Sequence, residues 1–132
     1  MIRRKTIIII AMCLVSALLM GNKCDRDDFL GATYNSIKTM DIAHERSGQV
    51  LIDLKKQDVV SAEIWERAAN ASDSYLAARD VLIDALIIYA DSSKDNEDAN
   101  KSVVTAALSR LDVIIKDILA LVNTFLDNPI RI

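Results

Sequence analysis

The sequence predicts an all-α protein: an up-down-up bundle of three helices, preceded by a hydrophobic N-terminal helix that acts as a signal or an anchor. Three observations favour this fold. The 132 residues include only three glycines and one proline, too few for the many turns of a β-sandwich or barrel. Apolar residues recur every three or four positions along three long segments. A long uncharged run, residues 6–20, directly follows a basic start.

The N-terminal segment, residues 1–24, has the layout of an export signal. Three basic residues occupy positions 3–5, and fifteen uncharged residues follow from Thr6 to Met20. Because positive charge stays on the cytoplasmic side of a membrane, this order predicts that the rest of the chain is exported. We therefore expect residues 25–132 to form one domain outside the cytoplasm, either periplasmic or anchored to the inner membrane.

The sequence leaves the fate of this segment open. A signal peptidase could cut it after Ala17 or after Gly21. Alternatively, residues 6–22 remain as a membrane anchor, because these seventeen uncharged residues would span about 26 Å as a helix, near the lower limit for crossing a bilayer.

Cys24 adds a third fate, which is lipidation. A bacterial lipobox has a small residue before its cysteine, whereas Lys23 occupies that position here. If no lipid is attached, Cys24 could pair between chains or remain a free thiol. Cys13 lies inside the apolar run, so cleavage would leave Cys24 without an intramolecular disulfide partner.

The part of the chain after this segment predicts three helices, over residues 28–56, 62–90 and 99–126. Ser61 suits the N-cap of the second helix, and the third helix should end before Asn128-Pro129. The expected core stripe of the first helix comprises Leu30, Tyr34, Ile37, Met40, His44, Leu51 and Leu54. The stripe of the second comprises Ile64, Ala68, Ala71, Tyr75, Ala78, Leu82, Ala85 and Tyr89. The stripe of the third comprises Val104, Leu108, Leu111, Ile115, Ile118, Val122 and Phe125.

Two connections join these helices. Residues 57–61 are so short a link that the first and second helices should pack antiparallel. Residues 91–98 are polar and acidic, which predicts an exposed loop. The similar lengths of the three helices then favour the up-down-up arrangement.

The second and third helices carry more apolar residues than one core stripe requires. Either the second helix is the most buried of the three, or a spare apolar face meets a partner chain or a membrane surface. The candidate interaction residues are Leu86, Ile87, Ile88, Ile114 and Leu119. Acidic residues interrupt each apolar run before it reaches the length of a membrane span. We expect a homo-oligomer or a protein partner, with membrane contact through residues 6–22 where they are retained.

The charge of the chain excludes one class of partner. Residues 25–132 contain 12 Lys and Arg against 19 Asp and Glu, a net charge of −7. An acidic domain of this kind is repelled by phosphate backbones, so we expect no nucleic-acid binding.

The sequence offers little catalytic chemistry. The one histidine, His44, follows Asp41 by three residues on the same helical face. Carboxylate-bridged metal sites in bundles need a Glu-x-x-His pair on two helices and further glutamates, and the core stripes of the second and third helices contain no acid. Neither a Gly-x-Ser-x-Gly elbow nor a Gly-rich phosphate loop is present. We therefore expect no enzyme activity, no metal and no cofactor.

One run resembles a known group of proteins. Leu51–Trp65, LIDLKKQDVVSAEIW, is similar to the helix-turn-helix joints of small exported, often lipidated, uncharacterised helical-hairpin proteins of bacteria and prophages. In that group a Tyr-containing helix, with Tyr34 here, precedes the turn, and an Ala-rich helix follows it. Asp58 stands where the group has a glycine, which is tolerable because aspartate can adopt the left-handed conformation. The resemblance covers most of residues 29–90 and implies architecture and origin, but no activity.

These observations favour a non-enzymatic, exported or membrane-anchored helical bundle that acts through a helix face on a protein partner or on itself. A phage-type lysis or envelope accessory factor is an alternative, in which the chain acts on the membrane. A bundle that binds a small ligand or a metal through His44 is a third hypothesis.

Overall fold

The computed structural model describes residues 26–126, and this part of the chain consists of three α-helices joined by short turns. Helix α1 is Arg26–Lys56, α2 is Ala62–Ala90 and α3 is Glu97–Leu126. The three helices predicted over 28–56, 62–90 and 99–126 are therefore confirmed, with ends correct to within two residues. The predicted N-terminal signal or anchor helix, with Cys24, lies outside the described residues.

Contacts at one end of the bundle show the direction of each helix. Arg26 Nη2 lies 2.9 Å from Glu97 Oε2, and its Nη1 donates a hydrogen bond to the Ala90 carbonyl. The start of α1, the end of α2 and the start of α3 thus meet at the same end. The helices run up, down and up, as the short first connection and the similar lengths of the three helices predicted.

The core follows the inner stripes of the three helices. The stripes predicted for α2 and α3 are confirmed over most of their length, from Ala68 to Tyr89 and from Val104 to Val122, and they contain the largest fully buried apolar side chains. These are Tyr75, Tyr89, Leu82, Leu111, Ile115 and Val104. Phe29 of α1 meets the Tyr89 ring edge-on, with centroids 5.1 Å apart, which joins the first helix to this core.

The stripe predicted for the first half of α1 was wrong at Tyr34, which is 66% exposed. The residues buried there are Phe29, Thr33, Ser36, Ile37 and Met40, and of these the predicted stripe contained Ile37 and Met40. Consecutive positions on a helix point about 100° apart, so burying Thr33 turns Tyr34 outward. Ser36 tolerates burial because its hydroxyl donates to the Ala32 carbonyl at 3.0 Å. The prediction failed at this point because it assumed that the buried positions are apolar, whereas two of them are the small polar residues Thr33 and Ser36.

The turn between α1 and α2 adopts the conformation expected from its sequence. Asp58 has φ of 56°, the left-handed region that aspartate can occupy. The Val59 amide donates to the Leu54 carbonyl at 3.1 Å, which ties the turn to the end of α1. Val60 is buried directly after it and anchors the start of α2 to the core.

Ser61 caps α2 as predicted, since its Oγ accepts a hydrogen bond from the Ile64 amide at 3.2 Å. Replacing Ser61 with alanine leaves that amide without its partner. We expect the Ser61→Ala variant to lose about 1 kcal/mol of unfolding free energy in urea denaturation. Ser74→Ala, at an exposed position inside α2, should change it by less than about 0.5 kcal/mol. Equal effects of the two variants would contradict the capping role.

Candidate functional site

The strongest polar cluster joins α1 to α2 through one carboxylate. Asp41 of α1 accepts a hydrogen bond from the Tyr75 hydroxyl at 2.8 Å. Arg79, one turn further along α2, donates hydrogen bonds to both oxygens of the same carboxylate, from Nε to Oδ1 and from Nη2 to Oδ2, both at 2.8 Å. A bidentate pair of this kind is among the stronger charge-assisted contacts in proteins. It holds α1 and α2 in register.

His44 extends this cluster by one helical turn. Its ring stacks on the Tyr75 ring, with centroids 4.3 Å apart and planes 13° apart. Its Nε2 lies 2.8 Å from Ser72 Oγ. Sequence reasoning placed Asp41 and His44 on one face and weighed them as a metal pair, but the structure gives each a separate partner on α2. The sequence signal for those partners was weak, because Ser72, Tyr75 and Arg79 carry no recognised motif.

Burial and hydrogen bonding shift the pKa values of this cluster. Burial tends to raise the pKa of Asp41, but the hydrogen bonds from Arg79 and Tyr75, with the charge of Arg79, outweigh it and leave the pKa below its usual value. Burial also lowers the pKa of His44, against the attraction of the Asp41 charge. The pKa of the Tyr75 hydroxyl is strongly raised by burial and by its bond to Asp41. The neutral His44 and the ionised Asp41 are the forms that the fold favours.

These shifts predict how stability depends on pH. The pKa of His44 in the folded chain lies below the reference value of 6.5, so its contribution is present above that pH and is lost as pH falls through the folded pKa. Because His44 is the only histidine, we expect the free energy of unfolding to fall from pH 7 to pH 5, and His44→Gln to flatten that slope. Asp41, whose pKa is lowered from 3.8, adds a second fall in more acidic solution. Denaturation curves recorded at a series of pH values measure both falls in unfolding free energy. An unchanged slope between pH 7 and pH 5 in the His44→Gln variant would contradict the role of His44.

The Ser72–His44 pair has the spacing of a nucleophile and its base, yet the surroundings do not support catalysis. Asp41, the carboxylate that could orient the imidazole, is instead bound by Tyr75 and Arg79. Ser72 also lies inside α2, where the backbone N–H groups are used in helical hydrogen bonds and cannot form an oxyanion hole. The cluster therefore has the geometry of a helix-to-helix clamp.

A second polar feature contradicts the expectation that the core stripes of α2 and α3 contain no acid. Asp112 of α3 is only 4% exposed. Lys116 Nζ lies 2.5 Å from its Oδ2, while its Oδ1 is buried without a hydrogen-bond partner. The inner face of α3 is wide enough to meet both other helices, so position 112, next to the predicted Leu111, is enclosed as well.

The five candidate interaction residues do not form one surface. Ile87 and Ile88 are exposed, whereas Leu86 and Ile114 pack partly buried against the core. Leu119 is only 9% exposed and belongs to the core, so its inclusion in an interaction face was wrong. Residues 86–88 are consecutive, and successive side chains on a helix point about 100° apart, so they cannot share a narrow face.

A different set of residues forms a continuous exposed line along α3, which we call the outer stripe. Its members recur at alternating spacings of four and three, all are exposed, and six of the eight carry no charge. They are Ala99, Val103, Ala106, Arg110, Val113, Asp117, Ala120 and Thr124. Val103 and Val113 are 56% and 57% exposed. Sequence reasoning missed this stripe because the more apolar inner stripe of the same helix hid its heptad spacing.

Comparison with known proteins adds no functional assignment: no family model, curated protein or solved structure matches the chain. Between Arg26 and Leu126, no group of three or more His, Cys, Asp or Glu side chains is placed to hold a metal ion. In the same range, none of the helices has both the length and the apolar character needed to cross a bilayer. The outer stripe and the Asp41 cluster remain the two features that bear on function.

Proposed function

We propose that this chain is a non-enzymatic helical-bundle protein, exported or membrane-anchored, that acts by binding a protein partner through the outer stripe of α3. The observation that carries this proposal is the exposure of all eight stripe residues, among them two valines, on an otherwise acidic domain. The basic start and the uncharged run of residues 6–20 support the extracytoplasmic location.

The spacing of the outer stripe supports helix binding in particular. Apolar residues that alternate every three and four positions form the seam along which two helices pack. Alanines at positions 99, 106 and 120 leave room for a second helix to approach closely. Isolated exposed apolar residues need no explanation, but five exposed apolar residues on one helix face, at positions 99, 103, 106, 113 and 120, favour an interaction surface.

The Asp41 cluster supports the non-enzymatic part of the proposal. Its carboxylate, guanidinium and hydroxyl groups are already bound to one another between α1 and α2. A catalytic group must be able to donate or accept a hydrogen bond or proton at a substrate. Here the donors and acceptors of these side chains are used between α1 and α2. The cluster is thus assigned to stability and the outer stripe to binding.

Photo-cross-linking in cells that produce the full chain tests the proposed surface. A photoreactive amino acid at Val113 should yield covalent adducts on illumination, because that position faces the partner. Glu45, which is exposed on α1, is the control position and should yield none. Absence of any adduct at Val113, or equal adducts at both positions, would count against the outer stripe as the binding surface.

A fusion of alkaline phosphatase to the C-terminus tests the proposed location, because this enzyme becomes active only outside the cytoplasm. We expect an active fusion. Deleting residues 6–20 should abolish the activity, since no export signal then remains. An inactive fusion of the intact chain would contradict export. It would not bear on the outer stripe, which the photo-cross-linking experiment tests separately.

A further inference from the structure

We propose that the partner on the outer stripe of α3 is a second copy of this chain, packed antiparallel about a two-fold axis at Val113. This inference rests on the proposed function, because it names the occupant of the same surface. It is carried by two charged residues within the stripe, which make the surface complementary to itself in one orientation only.

Arg110 and Asp117 are the two charges of the outer stripe. Both are exposed, and neither has an ion-pair or side-chain hydrogen-bond partner within residues 26–126. They are seven residues apart, which places them on the same side of α3 at a separation of about 10.5 Å. Val113 lies between them.

The orientation of the second copy follows from these charges. In a parallel pair each residue meets its own equivalent, so Arg110 would face Arg110 and Asp117 would face Asp117, which is repulsive. In an antiparallel pair centred on Val113, Arg110 of each copy lies beside Asp117 of the other. A two-fold axis makes this contact twice.

The uncharged members of the stripe fit the same register. With Val113 on the axis, it packs against its own equivalent, and Ala106 lies opposite Ala120 of the second copy. Two alanines facing one another allow the helix backbones to approach closely on either side of the axis. The central valine supplies apolar area where the copies meet.

The net negative charge of the domain favours the outer stripe over other surfaces as the place where two copies meet. Residues 25–132 carry 12 basic against 19 acidic residues, so two copies repel one another over most of their surface. Within the stripe one arginine balances one aspartate. A second copy can therefore approach along this line without like-charge contact.

Cysteine cross-linking of the full chain, purified in mild detergent, tests the pairing and its direction. The background carries Cys13→Ala and Cys24→Ser, so that the introduced cysteine is the only thiol. Val113→Cys should form a disulfide-linked dimer under mild oxidation. Val103→Cys is the matched control, with the same residue type and nearly the same exposure. In the antiparallel pair its two copies are about 30 Å apart, far beyond disulfide reach.

The pattern of cross-links decides the result. A dimer with Val113→Cys and about ten-fold less with Val103→Cys supports the antiparallel pair. Equal dimer with both variants shows a parallel pair, and no dimer with either shows that the copies do not meet here. Either of the latter two results overturns the inference.

Charge reversal provides a second measurement that does not use cysteine. Arg110→Asp and Asp117→Arg should each weaken dimerisation by about ten-fold, measured by sedimentation of the full chain, because each creates like-charge contacts. The double variant restores opposite charges across the axis and should recover most of the affinity. Additive loss in the double variant would contradict the pairing. Both positions are exposed, and circular dichroism checks that the helices persist.

Failure of this inference is distinguishable from failure of the proposed function. If Val113→Cys gives no dimer while the photoreactive residue at Val113 links to another protein, the stripe binds a different partner. If neither experiment gives an adduct, the stripe is not a binding surface at all.

Discussion

Truncation of Leu82 to alanine is expected to lower the free energy of unfolding by about 3 kcal/mol. Leu82 is fully buried in the second half of α2 and belongs to the main core cluster. The truncation removes three buried carbon atoms, a methine and two methyl groups, and leaves a cavity that the neighbouring helices fill only in part. Urea denaturation followed by circular dichroism measures the change.

Leu76→Ala is the matched control for this experiment. Leu76 lies on the same helix and is about half exposed, so its truncation should cost less than about 1 kcal/mol. The difference between the two variants then reports burial rather than helix propensity, because the substitution is the same. Similar losses at both positions would show that the outward face of α2 is covered in solution, as a dimer through that face would require.

The Lys116→Ala variant, which lacks the ammonium group, is expected to lose about 2 kcal/mol of unfolding free energy in urea denaturation. This is more than an ordinary surface lysine contributes. Its Nζ pairs with Asp112 Oδ2 at 2.5 Å. Asp112 is almost wholly buried, and its other oxygen already lacks a partner. Without Lys116 the carboxylate would remain buried and uncompensated. Lys38→Ala, at an exposed position of α1, serves as the control and should change stability by less than about 0.5 kcal/mol.

Removing Asp112 as well should reverse the loss. In the Asp112→Ala and Lys116→Ala double variant no buried charge remains at this position of α3, and alanine also has the higher helix propensity. We expect the stability of the double variant to reach or exceed that of the unmodified chain. A double variant less stable than Lys116→Ala alone would show that Asp112 contributes a favourable contact of its own.

The helices were predictable from the sequence because their local signals agree. Ser61 caps α2 where a polar turn ends, and Asp58 adopts the left-handed conformation that its residue type allows. The inner stripes of α2 and α3 were likewise readable, since large apolar residues recur there at helical spacing.

The polar features could not be predicted in the same way. Asp41 was assigned to its own-helix neighbour His44, but its partners Tyr75 and Arg79 are more than thirty residues away on α2. Such contacts depend on how two helices are rotated against each other, which periodicity alone does not specify. Burial of Asp112 likewise depends on the width of the α3 face that packing encloses.

The up-down-up connectivity determines how far apart the two ends of the described chain lie. The chain enters the bundle at Arg26 and leaves it after Leu126, at the opposite end, because the first and third helices run in the same direction. At about 1.5 Å per residue the thirty residues of α3 separate these ends by about 45 Å. The length of the bundle thus sets the distance between the points where the chain enters and leaves it. In the proposed antiparallel pair the two Arg26 residues lie at opposite ends, so the N-terminal segments of the two copies would start from opposite ends of the pair.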